Sequence, residues 1–169
     1  MATGPEYRVP HRRRREQKTD YSQRLELVKS GKPRAVVRRS NNHMTVQLVA
    51  YRQEGDDIIA AAKSSHLEEF GWDHHTGNIP AAYLTGYLAG TRALEEDAEE
   101  AVIDLGLQNN QHGTRIFAAI KGVIDAGVHI NVDDSVFPPE HRIRGEHIDE
   151  YRDTDIAANF EETKDEIEG

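Results

Sequence analysis

The chain has 169 residues and a formal net charge of −9 at pH 7, with 30 acidic and 21 basic side chains and no cysteine. A chain of this length fits one domain, alone or with short tails, and can bury roughly 70% of its unfolded surface. The lack of cysteine excludes disulfides, thiolate metal sites and a cysteine nucleophile. No apolar run approaches the ~18 residues of a membrane helix, and none follows the basic N-terminus as in a secretory signal. We therefore expect a soluble, cytoplasmic protein.

The charge is divided unequally along the chain. Residues 1–52 contain 13 Lys/Arg and 4 Asp/Glu, a local net of +9, whereas residues 53–169 contain 8 Lys/Arg and 26 Asp/Glu, a local net of −18. A basic end on an acidic body is typical of a protein that binds a polyanion. Only 6 of the basic residues are Lys, and an acidic, Lys-poor surface favours adaptation to concentrated salt over an ordinary acidic cytosolic protein.

The N-terminal third predicts an arm, a helix and three strands. Residues 1–18 contain two prolines and four consecutive arginines without apolar periodicity, which predicts an extended or disordered arm. Thr19 is a candidate N-cap for a short amphipathic helix that closes at Gly31. Three strand-like segments separated by turn residues predict an antiparallel meander. They cover residues 34–39, 43–51 and 57–63.

The second half of the chain alternates helices with one more strand. After a short helix around residues 65–70, Asn78 is a candidate N-cap for a long helix with an apolar face. The segment AVIDL at 101–105 has the composition of a buried strand, and Thr114 is placed to cap a further helix. This order predicts an α/β three-layer sandwich in which a mixed sheet is covered on both faces.

The element order divides the chain into three parts. We expect a basic arm over residues 1–18, an α/β domain over 19–151 and an acidic tail over 152–169. A short helix is predicted near the end of the domain, and the tail is expected to be frayed and solvated. Gly86 and Gly90 lie four apart in the long helix and predict close packing of that helix on the sheet.

Motifs of catalysis or cofactor binding are absent: there is no Gly-rich phosphate loop, HExxH pair or GxSxG elbow. Three strands followed by helix, strand and helix resemble the ribonuclease-H-like layout, whose nucleases hold two divalent ions on carboxylates. A metal-dependent nuclease would use Asp104 with a carboxylate such as Asp57. The first strand instead offers arginines, which would repel a metal ion, so we favour an ion-paired or capping Asp104 and expect no metal site.

The basic segment is the strongest functional signal, although a solvated face or a localisation signal is the alternative. It is rich in Arg, whose planar group binds phosphates or guanine edges through two hydrogen bonds and stacks on bases. Its charge continues from the arm into the first helix and first strand, which indicates a surface rather than a tail. The polar turn at 40–43, interpreted as lying next to Tyr51, adds base-edge donors and a stacking ring.

Five stretches of the chain resemble one protein family. They are RRRREQKTDYSQRLELVKSGKPRAVVRRSNNH, LEEFGWDHHTGNIPAAYLTGYLAGTRAL, AVIDLGL, RIFAAIKGVIDAGVHI and RIRGEHIDEY. In this order they resemble the archaeal form of ribosomal protein eighteen of the large subunit, a family that binds 5S ribosomal RNA. The resemblance implies a ribonuclease-H-like domain without catalytic activity. It also implies that the basic surface holds 5S rRNA and helps attach it to 23S rRNA in the central protuberance, with ribosomal protein five of the large subunit and other proteins of that region as partners.

Carried onto this chain, the resemblance and the charge pattern imply RNA contacts along the basic segment. Two further candidates lie at helix starts, where free N–H groups bind phosphates. The predicted contacts are Arg12, Arg13, Arg14, Arg15, Lys18, Tyr21, Arg24, Lys29, Lys32, Arg34, Arg38, Arg39, Asn41, His43, Asn78 and Arg115. Besides the nuclease, a third hypothesis is an acidic adaptor that binds a basic protein through residues 150–169.

Overall fold

A computed structural model of the chain describes residues 4–169, so the first three residues of the predicted arm lie outside it. The described part contains a four-stranded sheet, α-helices and two 3-10 turns, and none of its helices is long and apolar enough to cross a membrane. The strands are β1 (Arg34–Arg39), β2 (Met44–Ala50), β3 (Asp57–Lys63) and β4 (Val102–Asp104). The helices are α1 (Arg12–Arg15), α2 (Tyr21–Lys29), α3 (Ile79–Glu95), α4 (Arg115–Asp125), α5 (Glu140–Arg144), α6 (Glu146–Arg152) and α7 (Ile156–Glu168), and the 3-10 turns are Ser64–Phe70 and Asp134–Val136.

The sheet is mixed and has the strand order β3-β2-β1-β4. β2 pairs antiparallel with both β1 and β3, which confirms the predicted meander. β4 lies parallel to β1, with Ala35 opposite Ile103, so the long α3 crossover returns the chain to the other side of β1. The α/β class and the mixed sheet predicted from the sequence are confirmed.

One face of the sheet carries the core. Alternate residues of β1 and β2 point into it, including Val37, Met44 and Leu48, each 0% exposed. α3 and α4 cover this face, and their apolar residues complete the core. Asn78 caps α3 as predicted, because its Oδ1 accepts from the Ala81 N–H at 2.8 Å.

Small residues let α3 and α4 approach each other closely. A Cβ added at Gly86 would overlap the backbone of Ala119 in α4, and one added at Gly90 would come within 2.6 Å of the Ala126 methyl group. The glycine pair therefore packs α3 against α4, and the prediction that it packs the helix against the sheet is wrong. The sequence showed the small residues but not which partner they face.

The second face of the sheet is only lightly covered. It carries polar side chains such as Arg34, Arg38 and Gln47, and α2 crosses it without burying any residue of its own. A cleft of about 270 Å³ separates α2 from the strands. The predicted sandwich is thus closely packed on one face only.

The C-terminal segment is a packed helix, so the prediction of a frayed, solvated tail is wrong. Along α7, Ile156, Phe160 and Ile167 are buried in the core, each at most 7% exposed. The carboxylate of Asp149 accepts from the N–H groups of Ile156 and Ala157, both at 2.9 Å, and so fixes the start of the helix. α6, just before it, confirms the short helix predicted there.

Part of the N-terminal arm also differs from the prediction. Arg12–Arg15 form one helical turn rather than extended chain, with all four residues exposed. The cap of α2 is Asp20 rather than Thr19, because its Oδ1 accepts from the N–H groups of Ser22 and Gln23. A carboxylate at this position also complements the positive end of the helix.

Candidate RNA-binding surface

The arginines of α1 project into solvent. Arg13 Nε donates to Thr19 Oγ1 at 2.9 Å, which ties the arm to the start of α2. Glu16 lies 3.0 Å from Lys18 Nζ and 4.0 Å from Arg12 Nη1. Within residues 4–169, Arg14 and Arg15 have no acidic partner. Exposed ion pairs of this kind are weak, so the cationic groups of α1 remain accessible to a polyanion.

The start of α2 adds an aromatic ring and a further cation to this area. The rings of Tyr21 and His11 lie 5.4 Å apart, and Tyr21 remains 38% exposed. Arg24 Nη2 lies 2.8 Å from Asp56 Oδ2 at the rim of the cleft beneath α2. Tyr21 therefore offers a ring face, whereas Arg24 must leave or share its carboxylate to contact a phosphate.

Arg34 does not lie on the surface. It is 3% exposed, and its two terminal nitrogens lie 2.8 Å from Asp104 Oδ2 and 2.7 Å from Asp56 Oδ2. This burial does not fit the predicted RNA contact, because the guanidinium group is enclosed between two carboxylates. The side chain is instead part of the internal structure of the sheet.

Asp104 joins Arg34 to Arg38. Its Oδ1 lies 2.9 Å from Arg38 Nη2, and Arg38 Nη1 donates to the Asp104 carbonyl at 2.6 Å. Burial alone would raise the pKa of Asp104, but hydrogen bonds and charge from Arg38 and then Arg34 outweigh it and hold the pKa below the ordinary value. The ion-paired Asp104 favoured from the sequence is confirmed.

This arrangement leaves neither Asp104 nor Asp57 free for a metal ion. Both Asp104 oxygens are engaged by arginines, and Asp57 pairs with Arg52 at 2.9 Å. In the part of the chain from residue 4 onwards, no group of three or more His, Cys, Asp or Glu side chains is placed to hold a metal. The geometry therefore disfavours the nuclease hypothesis.

The end of β1 is held in place by a residue that sequence reasoning missed. Gln108 Nε2 donates to the Val37 carbonyl at 2.7 Å, and its Oε1 accepts from the Arg39 N–H at 3.1 Å. The Arg39 side chain stays exposed, with no acidic partner in the described chain. Gln108 lies about 70 positions from these partners, so no local pattern signals its role.

The turn after β1 contacts two helix starts. Thr76 Oγ1 donates to the Asn42 carbonyl at 2.8 Å and lies 3.1 Å from His43 Nδ1. Arg115 Nη1 donates to the carbonyls of Gly77 at 2.5 Å and Asn41 at 3.3 Å. The structure thus brings Asn41, His43 and the start of α3 together, with Arg115 bridging them.

Other predicted contacts lie at the opposite end of the sheet. Lys29 ends α2, and Lys32 precedes β1, where its Nζ lies 2.6 Å from Glu100 Oε2. At ~3.3 Å per residue, the two ends of β1 are ~17 Å apart. Tyr51 follows the far end of β2, so the interpretation that places it next to the turn is wrong.

Known proteins resemble this chain over most or all of its length. A family model described as ribosomal large subunit proteins 60S L5 and 50S L18 matches residues 5–100. Large ribosomal subunit protein uL18 of Halobacterium salinarum is 51% identical over 180 residues, covering 99% of this chain and 98% of the relative.

Two further relatives carry the same description. The protein of Haloarcula marismortui is 56% identical over 151 residues, which cover 89% of this chain and 81% of the relative. That of Methanothrix thermoacetophila is 47% identical over 169 residues and covers 100% of both chains. With a family model across more than half of its residues and relatives at this identity, the chain belongs to the family of large-subunit ribosomal proteins 60S L5 and 50S L18.

Proposed function

We propose that the protein is a structural constituent of the large ribosomal subunit that binds 5S rRNA and helps attach it to 23S rRNA in the central protuberance. The observation that carries the proposal is the exposed cationic surface formed by α1 and the end of β1, next to the polar turn at 40–43, on a chain whose residues 53–169 are acidic. Family membership gives the ribosomal role, which is structural rather than enzymatic and is carried out in the cytoplasm.

The mechanism is positional. Exposed guanidinium groups neutralise phosphates where RNA strands pack closely, and the sheet holds those groups in register. The Arg34–Asp104–Arg38 network fixes β1 to β4, and Gln108 fixes the last residues of β1. Arg34 thus acts through this framework, Arg12–Arg15 and Arg39 face the RNA, and Arg38, whose side chain is 43% exposed, belongs to the framework and also borders the RNA surface.

A high salt concentration favours Arg over Lys as the RNA-binding side chain. In a salt-rich cell the Debye length is ~3 Å or less, so long-range attraction contributes little. Affinity then depends on short bidentate contacts and stacking, which Arg provides better than Lys. Two of the three relatives come from halophilic archaea, which supports this interpretation of the composition.

The finer points of fold and assembly belong to the same proposal. Three antiparallel strands followed by a fourth strand parallel to β1 support a ribonuclease-H-like layout. Ribosomal protein five of the large subunit and other proteins of the central protuberance are the proposed neighbours. The remaining predicted contacts, including Lys18, Asn41, His43, Asn78 and Arg115, stay predictions.

Neutralising the arm tests the proposal. Replacing Arg12–Arg15 with Gln should weaken 5S rRNA binding. It should also reduce the salt slope, which is the steepness with which the logarithm of the binding constant falls with the logarithm of the salt concentration. The reduction should be up to about four, about one for each phosphate that is no longer neutralised. The thermal transition should stay nearly unchanged, since all four side chains are exposed. The double change Lys121→Gln and Lys164→Gln, on α4 and α7, is compared with the double change Arg14→Gln and Arg15→Gln, so that both variants lose two positive charges. Equal binding by both variants and the unmodified protein would contradict the proposal.

A further inference from the structure

A cleft lies between the loop that precedes α3 and the C-terminal end of α6. Its volume is about 760 Å³, within the range of small-ligand sites. Its walls are largely apolar, with Ile148 and Ile156 among the lining residues, and His147 and Tyr151 contribute from α6. Of the sixteen predicted RNA contacts, only Asn78 lines this cleft.

Two imidazoles in this cleft have unmet hydrogen-bonding capacity. His147 Nδ1 is buried and has no hydrogen-bond partner in the described structure. His74 Nε2 is also buried without a hydrogen-bond partner, although carboxylate oxygens of Asp155 and Asp73 lie 3.3 Å and 3.6 Å from it. Buried polar groups are normally satisfied, and small side-chain movements that expose these nitrogens to the cleft would let them bind the polar edge of a ligand.

The mouth of the cleft carries an aromatic ring and a cation. Tyr151 is 84% exposed, the most exposed of the large apolar or aromatic side chains in the described chain. Its neighbour Arg152 has no acidic partner within residues 4–169. An exposed ring at the edge of an apolar cleft provides a stacking face that every nucleobase can use.

The cleft is continuous with the proposed RNA surface. His75 and Asn78 line the cleft, and the Gly77 N–H between them donates to His75 Nδ1 at 3.0 Å. The Gly77 carbonyl accepts a hydrogen bond from Arg115, which also donates to the Asn41 carbonyl in the turn. The cleft therefore adjoins the part of the proposed RNA surface that the turn at 40–43 forms.

We propose that this cleft receives one unpaired nucleobase of the bound RNA, stacked on Tyr151, with its polar edge facing the two imidazoles; the inference rests on the proposed function. The carboxylates of Asp73 and Asp155 near His74 would repel a phosphate. A neutral, flat base avoids that repulsion, and its amino or ring N–H groups can donate to the carboxylates. The backbone phosphate of the same nucleotide then lies outside, beside Arg152.

Substitutions at Tyr151 test the inference. Tyr151→Ala should weaken 5S rRNA binding about 5- to 100-fold, the loss of one base–aromatic stack, whereas Tyr151→Phe should bind within about twofold of the unmodified protein. The salt slope should stay unchanged in both, because stacking releases no counterions. Tyr51→Ala is the matched control, since Tyr51 is also exposed (52%) but lies at the far end of β2.

A second measurement locates the contact. Ultraviolet crosslinking of the complex, followed by mass spectrometry, should give a nucleotide adduct on the peptide that contains Tyr151. Undiminished affinity of Tyr151→Ala together with no adduct there would overturn the inference, while the effect of the Arg12–Arg15 substitutions would still uphold the proposed function. Failure of the unmodified protein to bind 5S rRNA would overturn both.

Discussion

Replacing Asp104 with Asn removes the negative charge between two arginines while keeping the size of the side chain. The Asp104 side chain is 9% exposed and that of Arg34 is 4% exposed, with 2.8 Å between the paired atoms. Removing one partner of a buried ion pair costs about 3–5 kcal/mol, because the other charge is left buried. Asp56 still pairs with Arg34 in the variant, so we expect the lower end, about 3 kcal/mol.

Urea unfolding at constant salt, followed by circular dichroism, measures this loss. For a domain of this size, a loss of about 3 kcal/mol corresponds to a thermal midpoint lowered by about 6–12 °C. Asp57→Asn is the control, because its pair with Arg52 has side chains 52% and 71% exposed, and such pairs contribute at most about 1 kcal/mol. If Asp104→Asn destabilised the protein no more than Asp57→Asn, the framework role of the network would be refuted.

The stability difference between the unmodified protein and Asp104→Asn should depend on pH, because the pKa of Asp104 is lowered in the folded protein. A carboxyl group whose pKa is lower in the folded state contributes stability above its unfolded pKa, ~3.9, and loses it as the pH falls through the folded pKa. The difference in unfolding free energy between the unmodified protein and Asp104→Asn should therefore be constant from about pH 5 to 7 and shrink below about pH 4. A difference that grows on acidification would contradict the assignment.

Five further substitutions test the packing and helix capping that support the surface. Phe160→Ala should cost about 3–5 kcal/mol because the ring is 3% exposed; a loss below about 1 kcal/mol would mean that α7 is only loosely attached. Gly86→Ala should destabilise the protein more than Gly90→Ala, since the first Cβ meets backbone and the second a methyl group; about 1–3 kcal/mol is typical of overpacking, and the reverse order in thermal denaturation would refute the α3–α4 contact. Asn78→Ala should cost about 1 kcal/mol, and Thr114→Ala less, because Thr114 makes no side-chain cap; equal losses in urea unfolding would contradict the capping assignment.

Local patterns were sufficient for most of the sheet. The predicted bounds of β1 and β3 are those of the structure, since each strand lies between turn residues and carries its own β-branched or alanine-rich run. The cap at Asn78 was also predictable, because capping depends on residues three positions away. These features depend on neighbours in sequence, which the sequence displays directly.

The errors arose where partners lie far apart in sequence or where charge obscured periodicity. Arg34 and Asp104 are 70 positions apart, so nothing near Arg34 signals that it is buried. In α7, Ile156, Phe160 and Ile167 follow a helical spacing, but the surrounding Asp and Glu residues favoured a solvated tail. The sequence therefore indicated the candidate RNA surface only as a charged segment, and the structure was needed to separate buried from exposed arginines.

The most direct test of the central proposal is a binding titration of the unmodified protein against 5S rRNA and a size-matched tRNA at about 0.2 M and about 2 M KCl. The salt slope counts phosphate contacts, and the ratio of the two affinities measures specificity. The account predicts tight binding that prefers 5S rRNA and persists at the higher salt concentration. Equal binding to both RNAs that disappears at high salt would contradict it, because the basic segment would then be only a non-specific cationic arm.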